Sequence, residues 1–536
     1  MSAAPEIRAA AAATVPEATG AALFSVYDRS GVAELAQDLV KRGVPIYATG
    51  GTRRYLREHG VDARDVEELT GFPSLFDGRV KTLHPRVFGA ILADRSSDAH
   101  RDEAARHGVP TISTVVVNLY PFEKTVAAEG ATLEEAIEQI DVGGVALIRA
   151  AAKNFVHVTV LVDPDQYALI ASGEAPDLAT RRRLATRAFE RTAEYDAAIA
   201  RYLESGLLAR ELPGSLALTI PIEQPLRYGE NPQDRAAFYL AREATLPDQL
   251  GGKALSYNNL LDLDAVLRML VRARDVRADG ETPVSAEPAM VRAAIVKHTV
   301  PCGVALRPAV LEAVRLALAA DPVSAYGGII ALDGRVDLAS AEALAAFFLE
   351  IVAAPAFDDD ALARLRRKKN LRIMRFAPEL PARIAEELRV RSALGGVLAE
   401  DDDPAAPPEV WRVPSRRRPT PAEWRDLRFA WDIVRHVKSN GVVFVRDEVS
   451  RGICAGQTNR VSAVRIAGER AGAFARGSAC ASDGFFPFAD GLQAAVAAGC
   501  SAVIAPQGSI RDDEVVAAAD AAGIALVFSS YRYFLH

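Results

Sequence analysis

Cysteine is scarce: Cys302, Cys454, Cys480 and Cys500 are the only four in 536 residues, and none forms a C-x-x-C pair. That spacing argues against a disulfide framework and fits a reducing compartment such as the cytoplasm. Basic charge is also short, with 63 Lys and Arg against 70 Asp and Glu and a net charge of −7. A sequence-independent nucleic-acid binder needs a basic stripe, so no nucleic-acid partner is expected. Charge-free runs are rare. Gly491 to Ile510 approaches the length of a membrane span, but it is mostly Ala and Gly, with Gln493, Pro506 and Gln507 inside. It reads as a short helix followed by a buried strand, and no membrane partner is expected. Residues 1–20 are Ala-rich, lack the Leu-rich core and basic leader of a signal peptide, and read as a flexible tail.

What is present is an ordinary globular balance, 50% hydrophobic and 25% charged. From Ala21 the pattern alternates. Ala21 to Val26 is an apolar run, and Gly31 to Arg42 then places Val32, Leu35, Ala36, Leu39 and Val40 on one helical face. Val44 to Ala48, Thr114 to Val117 and Val158 to Val162 repeat the strand pattern, each near a polar turn. Such alternation predicts a doubly wound parallel α/β domain over residues 21–219, with ligands beyond the carboxyl ends of its strands. A charge-laced helical region, Leu178 to Leu212, leads to Pro213-Gly214 and a proline-studded boundary.

Residues 220–536 alternate again. Core strands are expected at Ala293–Val296, Gly328–Leu332, Gly395–Leu398, Val442–Val445, Ser501–Ala505 and Ile524–Phe528. Pro421 to Val437 reads as a helix with Trp424, Leu427, Trp431 and Val434 on one face. Two α/β lobes are expected, with the proline-rich loop from Pro404 to Pro421 between them. No short tandem repeat is visible.

Chemistry concentrates in the turns. Ser25 to Gly31 and Thr49-Gly50-Gly51-Thr52 each follow a strand and open a helix, where free amides and the helix dipole attract an anion. Helix capping alone also explains such residues. Asp77-Gly78-Arg79-Val80-Lys81-Thr82-Leu83-His84-Pro85 packs two cations, a hydroxyl and an imidazole into one short stretch. Asn118-Leu119-Tyr120-Pro121, Asp141-Val142-Gly143-Gly144 and Lys153-Asn154 add an amide, a phenol, a carboxylate and a second lysine.

In the second part, Lys297-His298-Thr299-Val300-Pro301-Cys302-Gly303 closes a strand. Histidine is the natural proton acceptor near neutrality. The order His then Pro-Cys suggests a zinc deaminase, whose chemistry needs H-x-E followed by P-C-x-x-C. Val300 and Ala305 occupy two of those positions, so no metal site is expected. Further polar stretches are Arg227-Tyr228-Gly229-Glu230-Asn231-Pro232, Asp321 to Gly328, Lys438-Ser439-Asn440, Ala455 to Arg460, Ser482 to Asp490 and Arg532 to His536. Within them, Phe485 to Phe488 suits core packing and stacking on a flat ring equally well. The run Arg364 to Lys369, five cations in six residues, reads as a solvated face, with attraction of the acidic tail of a polyglutamylated ligand as the lesser alternative.

D-G-R-V-K-T-L-H-P, R-Y-G-E-N-P, K-H-x-x-P-C-G, S-D-x-F-F-P-F-x-D and G-S-I-R-D occur in that order. Together they make the chain resemble, from Ala22 to His536, the bifunctional purine-biosynthesis family that joins AICAR transformylase to IMP cyclohydrolase. The resemblance implies a methylglyoxal-synthase-like first domain that closes the purine ring of formyl-AICAR. It assigns Lys81, Tyr120, Asp141 and Lys153 to catalysis there. Substrate binding would fall to Ser25, Thr49, Gly50, Gly51, Thr52, Arg79, Thr82 and Asn118. The remainder would be two cytidine-deaminase-like lobes without zinc, moving a formyl group from 10-formyltetrahydrofolate to AICAR. There Lys297, His298, Asn440 and Asp490 would be catalytic, and Arg227, Tyr228, Gly327, Arg460, Phe485 and Arg532 would bind substrate. A homodimer with the transformylase site at its interface is implied.

Departures from the family pattern are Val300 for Asn, Gln233-Asp234 for His-Gln, Arg29 for Lys, and Phe88 and Phe155 for His. A non-catalytic nucleotide sensor is the competing class. It would have no need of Lys297, His298, Asn440 and Asp490, all of which persist.

Overall fold

A computed structural model describes residues 20–126, 128, 130–171, 175–205, 212, 214–241, 244–272, 277–278, 290–401 and 409–536. The N-terminal stretch read as a tail lies outside these up to residue 19, as do 206–211 and, with 402–408, the first part of the proline-rich loop. The chain divides into two compact units, Met1–Pro221 and Ile222–His536.

In the first unit five parallel strands pair in the order β3-β2-β1-β4-β5. They are β1 (Ala21–Ser25), β2 (Ile46–Ala48), β3 (Ala63–Asp65), β4 (Ile112–Val117) and β5 (Thr159–Leu161). Leu23, Phe24, Val115 and Val116 are fully buried, as continuous apolar runs in a parallel sheet must be. The three-residue β3, with Arg64 and Asp65, carries no apolar run and escapes sequence reading. Helix α1 (Val32–Lys41) buries Val32, Leu35, Ala36 and Leu39. Val40 is instead 41% exposed, because at 100° per residue it falls on the margin of the stripe. From β1 the chain winds outward to β2 and β3, then crosses back to β4 and β5. The winding reverses between β1 and β4, and a crevice opens there at the strands' carboxyl ends. Helices α2 (Gly50–Glu58), α3 (Pro85–Leu92), α4 (Gly143–Lys153) and α5 (Leu178–Ser205) complete the frame around it.

The second unit opens with a hairpin, β6 (Ile222–Leu226) and β7 (Ala236–Tyr239), and then builds one continuous thirteen-stranded sheet. At one edge lies β8 (Asp248–Gly251), at the other β9 (Arg277–Ala278). Inside run β10 (Val291–Lys297), β11 (Val300–Arg307), β12 (Gly328–Leu332), β13 (Leu349–Ala354) and β14 (Arg372–Arg375). A second hairpin, β15 (Arg389–Ala393) and β16 (Gly396–Glu400), stands apart. β17 (Val410–Arg412), β18 (Val442–Arg446), β19 (Val449–Cys454), β20 (Ala479–Ser482), β21 (Ala502–Pro506) and β22 (Ala525–Ser529) finish the sheet. The run Gly491–Ile510 resolves into a helix ending at Ala498 and strand β21. The expected core strand at Gly395–Leu398 is corrected: it belongs to the isolated hairpin, and Leu398 is 63% exposed. A four-residue apolar run does not by itself distinguish a core strand from a hairpin arm.

The sheet order contains the same pattern twice. In each half an antiparallel hairpin (β10–β11, β18–β19) leads through an antiparallel neighbour (β12, β20) to two parallel strands (β13–β14, β21–β22). A further strand, β8 or β17, pairs antiparallel outside each half. The two halves meet where β11 pairs with β19. Helix α6 (Tyr257–Arg268) precedes the first hairpin and α8 (Pro421–Val434) the second; α7 (Val310–Ala320) and α9 (Arg460–Ala471) follow them. The correspondence reaches single residues. A Cβ on Gly303 would lie 2.1 Å from the carbonyl oxygen of Ala317, and one on Gly452 would lie 2.0 Å from that of Ala467. Both glycines exist so that the following helix can press onto its strand. In α8, Trp424, Leu427, Trp431 and Val434 are buried, as their spacing predicts.

Candidate functional site

In the first unit the turns after β1, β2 and β4 converge on the crevice. Thr49 Oγ1 donates to Ser25 Oγ at 3.2 Å. No side chain caps α2, so its first-turn amides at Gly50 and Gly51 face the crevice mouth uncapped. A Cβ on Gly50 would meet nothing within 4 Å, and on Gly51 only the Arg29 guanidinium at 3.9 Å. This corner is electropositive through helix dipole and cation alike. Two of the expected substrate contacts, Asn118 and Thr52, also make hydrogen bonds within the scaffold. Asn118 Oδ1 accepts from the amides of Tyr27 and Asp28 at 2.6 and 2.9 Å, and its Nδ2 donates to the Asp28 carbonyl. Thr52 Oγ1 accepts from Val26 N–H at 3.0 Å. Both fix the turn after β1.

Beside this corner, Thr82 and Asp141 crowd the start of α4. A Cβ on Gly143 would stand 2.9 Å from Thr82 Oγ1, and one on Gly144 would stand 2.3 Å from Asp141 Oδ2. The Gly-Gly pair is thus the condition for their approach. Asp141 Oδ1 accepts from Gly144 N–H at 2.7 Å. Burial pushes the Asp141 carboxyl above its ordinary range, while that amide, Lys81 and the Gly143 amide pull it back. Burial likewise raises the Tyr120 phenol, with Asp141 contributing, so Tyr120 remains a proton donor at neutral pH. Its ring lies 5.3 Å from that of Tyr27. Arg79 pairs with Glu138 at the surface. Lys153 is the last residue of α4.

In the second unit Lys297 and His298 stand at the β10–β11 turn and line a cavity of about 560 Å³, together with Cys302, Asp321, Ser324 and Arg451. Lys297 Nζ donates to the Tyr326 carbonyl at 2.8 Å, next to Gly327. Burial raises the Cys302 thiol to about 12, so it is no nucleophile at neutral pH. Among the described residues, no group of three or more His, Cys, Asp or Glu side chains is placed to hold a metal ion.

Asn440 lies at the same end of the sheet, but on β18's side, three strand spacings or about 14 Å from β10. Its Nδ2 donates to the Gln457 carbonyl at 2.7 Å. Arg460 is buried and paired with Asp483, which also accepts from Ser439 Oγ. A Cβ on Gly484 would meet Arg460 at 2.5 Å and Phe534 at 2.7 Å, so the C-terminal segment packs directly on this loop. Phe485 is half-buried, and Asp490, in the first turn of the helix Ala489–Ala498, is exposed. The Arg532 guanidinium lies 4.7 Å from the Phe534 ring. Arg227 stacks on Tyr228 at 5.0 Å in the separate hairpin, whose loop is tied to α6 by Asn258 donating to Glu230 O. Asp234, a departure from the family pattern, accepts from Asn231 N–H and Nδ2 and holds that loop's turn. In the basic run, Arg366 and Lys368 donate to the backbone carbonyls of Leu250 and Phe347.

Three supporting residues escape sequence reading. Tyr195 on α5 is buried, donates to Gln139 O and accepts from Asp141 N–H at 2.9 Å. Asp483 is the acid inside S-D-x-F-F-P-F, and Asp262 on α6 accepts from the backbone of the Lys297-His298 turn. Only Asp483 lies in a motif; the other two are single polar residues within otherwise ordinary helical patterns.

A doubly wound unit with an anion-attracting crevice, joined to a duplicated α/β unit with a Lys-His pair on a cavity, defines a two-unit enzyme for small phosphorylated substrates. The family described as AICARFT/IMPCHase bienzyme matches residues 151–470, and the MGS-like domain matches residues 31–146. The bifunctional purine biosynthesis protein PurH of Myxococcus xanthus is 48% identical over 530 residues, 96% of this chain and 100% of that protein. PurH of Chloroflexus aurantiacus is 49% identical over 523 residues, 96% of this chain and 98% of its own length. The crystal structure of ForH is 35% identical over 35% of this chain and 98% of its own, with a TM-score of 0.32. The chain belongs to the AICARFT/IMPCHase bienzyme family and is a bifunctional AICAR transformylase and IMP cyclohydrolase of purine biosynthesis. Among the described residues no helix is long and apolar enough to cross a membrane.

Proposed function

We propose that the unit ending at Pro221 closes the ring and that the unit beginning at Ile222 transfers the formyl group, with 10-formyltetrahydrofolate as donor. In ring closure the carboxamide nitrogen of formyl-AICAR attacks the formyl carbon and water departs. An amide nitrogen is a weak nucleophile, so its proton must be removed and the carbonyl oxygen protonated while geometry is held. Asp141 takes the N–H proton, and its raised affinity for protons suits that task. Tyr120 donates to the developing alkoxide, and Lys81 supplies positive charge. Ser25, Thr49, Arg29 and the first-turn amides of α2 hold the phosphate.

In formyl transfer the 5-amino nitrogen attacks the formyl carbon, a C–N bond forms, and the bond to folate N10 breaks. The amine loses a proton to His298, and N10 receives one from Lys297. The observation that carries this assignment is that both side chains line one cavity at the end of β10. Arg460, buried with Asp483, acts as scaffold. Asn440 stands three strands away from the Lys-His pair, and Asp490 opens the helix after β20, one strand further on, which supports a homodimer in which a partner chain completes the site. The four free cysteines support a reducing, cytoplasmic location. The test follows absorbance with AICAR and 10-formyltetrahydrofolate. Tetrahydrofolate and IMP should both appear; tetrahydrofolate without IMP would remove the ring-closing assignment, and no tetrahydrofolate would remove the formyl-transfer assignment.

A further inference from the structure

The turn carrying His298 is conformationally costly. His298 and Thr299 have φ of 56° and 60°, left-handed values that two-residue hairpin turns ordinarily give to Asn and Gly. A residue from another element holds them there. Asp262, in the middle of α6, accepts from Thr299 N–H through Oδ1 at 2.6 Å and from His298 N–H through Oδ2 at 3.3 Å. Helix α6 is itself fixed at its start, where Ser256 and Asn259 cap one another.

The duplicated half repeats the device. Asp447 and Glu448, at the β18–β19 turn, have φ of 55° and 52°. Asp426 on α8 accepts from Asp447 N–H at 3.0 Å and from Glu448 N–H at 2.7 Å. A carboxylate from the preceding helix clamping a left-handed two-residue turn is therefore part of the fold, and only one copy bears a lysine-histidine pair on a cavity.

We propose that Asp262 is a positioning residue for formyl transfer, clamping the turn so that the His298 imidazole and the Lys297 ammonium project into the cavity together. The proposal rests on the reading of His298 as the base. Asp426 supplies the internal control, since the same two hydrogen bonds can be removed there without touching the reacting end of the sheet.

The experiment compares Asp262→Ala, Asp262→Asn, Asp426→Ala and His298→Ala in the full chain. It measures kcat and KM for AICAR in formyl transfer, ring closure of supplied formyl-AICAR, and Tm. Asp262→Ala should lower formyl-transfer kcat about 100-fold, the scale of an ångström misplacement, with KM within about threefold and ring closure unchanged. Asp262→Asn, keeping one acceptor, should fall between Ala and wild type. Asp426→Ala should lower Tm yet leave kcat within about twofold. Wild-type kcat in Asp262→Ala, or an equal kcat loss in Asp426→Ala, overturns the proposal. Should Asp262→Ala not fold, Asp262→Asn decides by the same readout. His298→Ala separates the two claims: full activity there removes the base assignment itself, whereas an inactive His298→Ala beside an active Asp262→Ala removes only the clamp.

Discussion

Lys297 Nζ donates to the backbone carbonyl of Tyr326 at 2.8 Å, tying the last residue of β10 to the turn that enters β12. A backbone oxygen orients the ammonium without neutralising it, so its charge remains available to an oxygen or nitrogen of substrate. Lys297→Met should reduce formyl transfer by about 100- to 1,000-fold and leave ring closure intact. Lys297→Arg should not restore it, because a planar guanidinium can neither take the same single-carbonyl geometry nor give up a proton. Separate assays of the two reactions on purified variants check both outcomes.

Gly144 makes the opposite kind of test, on the first unit alone. A Cβ there would overlap Asp141 Oδ2 at 2.3 Å, so Gly144→Ala must push the carboxylate out of place. Ring closure should fall about 100-fold or more, with formyl transfer at the wild-type rate. Equal retention of ring closure would show that the position of Asp141 does not matter to it.

Asp141 also links function to stability. Burial raises its folded pKa above the unfolded value, so its contribution is most favourable below the ordinary carboxylate range and is lost as pH rises through the raised value. At pH 7 the buried charge is therefore a cost. Asp141→Asn should raise the Tm of the first unit at pH 7, and the gain should shrink as pH falls through the raised value and the wild-type carboxyl takes up its proton. The same variant should lose ring closure. Thermal scans at several pH values, paired with activity, decide the matter.

The two strand glycines predict a matched pair of stability losses. Gly303→Ala and Gly452→Ala each drive a methyl into the carbonyl of a following helix, and each should destabilise the second unit by about 1–3 kcal/mol or more. Denaturant unfolding should show similar losses for both. One large and one negligible loss would contradict the structural equivalence of the halves.

The parallel sheet of the first unit was legible because its strands are uninterrupted apolar runs, and the reactive turns because they gather rare residue types in short stretches. Other features were not legible. Strand β3 has no hydrophobic signal, and the run at Gly395–Leu398 looks like core while forming an exposed hairpin. Duplication in the second unit leaves no repeated motif, since equivalent turns read Lys-His-Thr-Val and Arg-Asp-Glu-Val. It is carried by strand order, two glycines and two clamping aspartates. Arg460 and Asn118 show a further limit: a sequence identifies polar residues near a site, but not the partners, Asp483 and the Tyr27 and Asp28 amides, that hold them.

The most direct measurement is of both half-reactions in folded His298→Ala. Formyl transfer to AICAR should fall by about 100- to 10,000-fold, the contribution of a positioned base, while supplied formyl-AICAR is converted to IMP at the wild-type rate. Unimpaired formyl transfer in that variant would contradict the account.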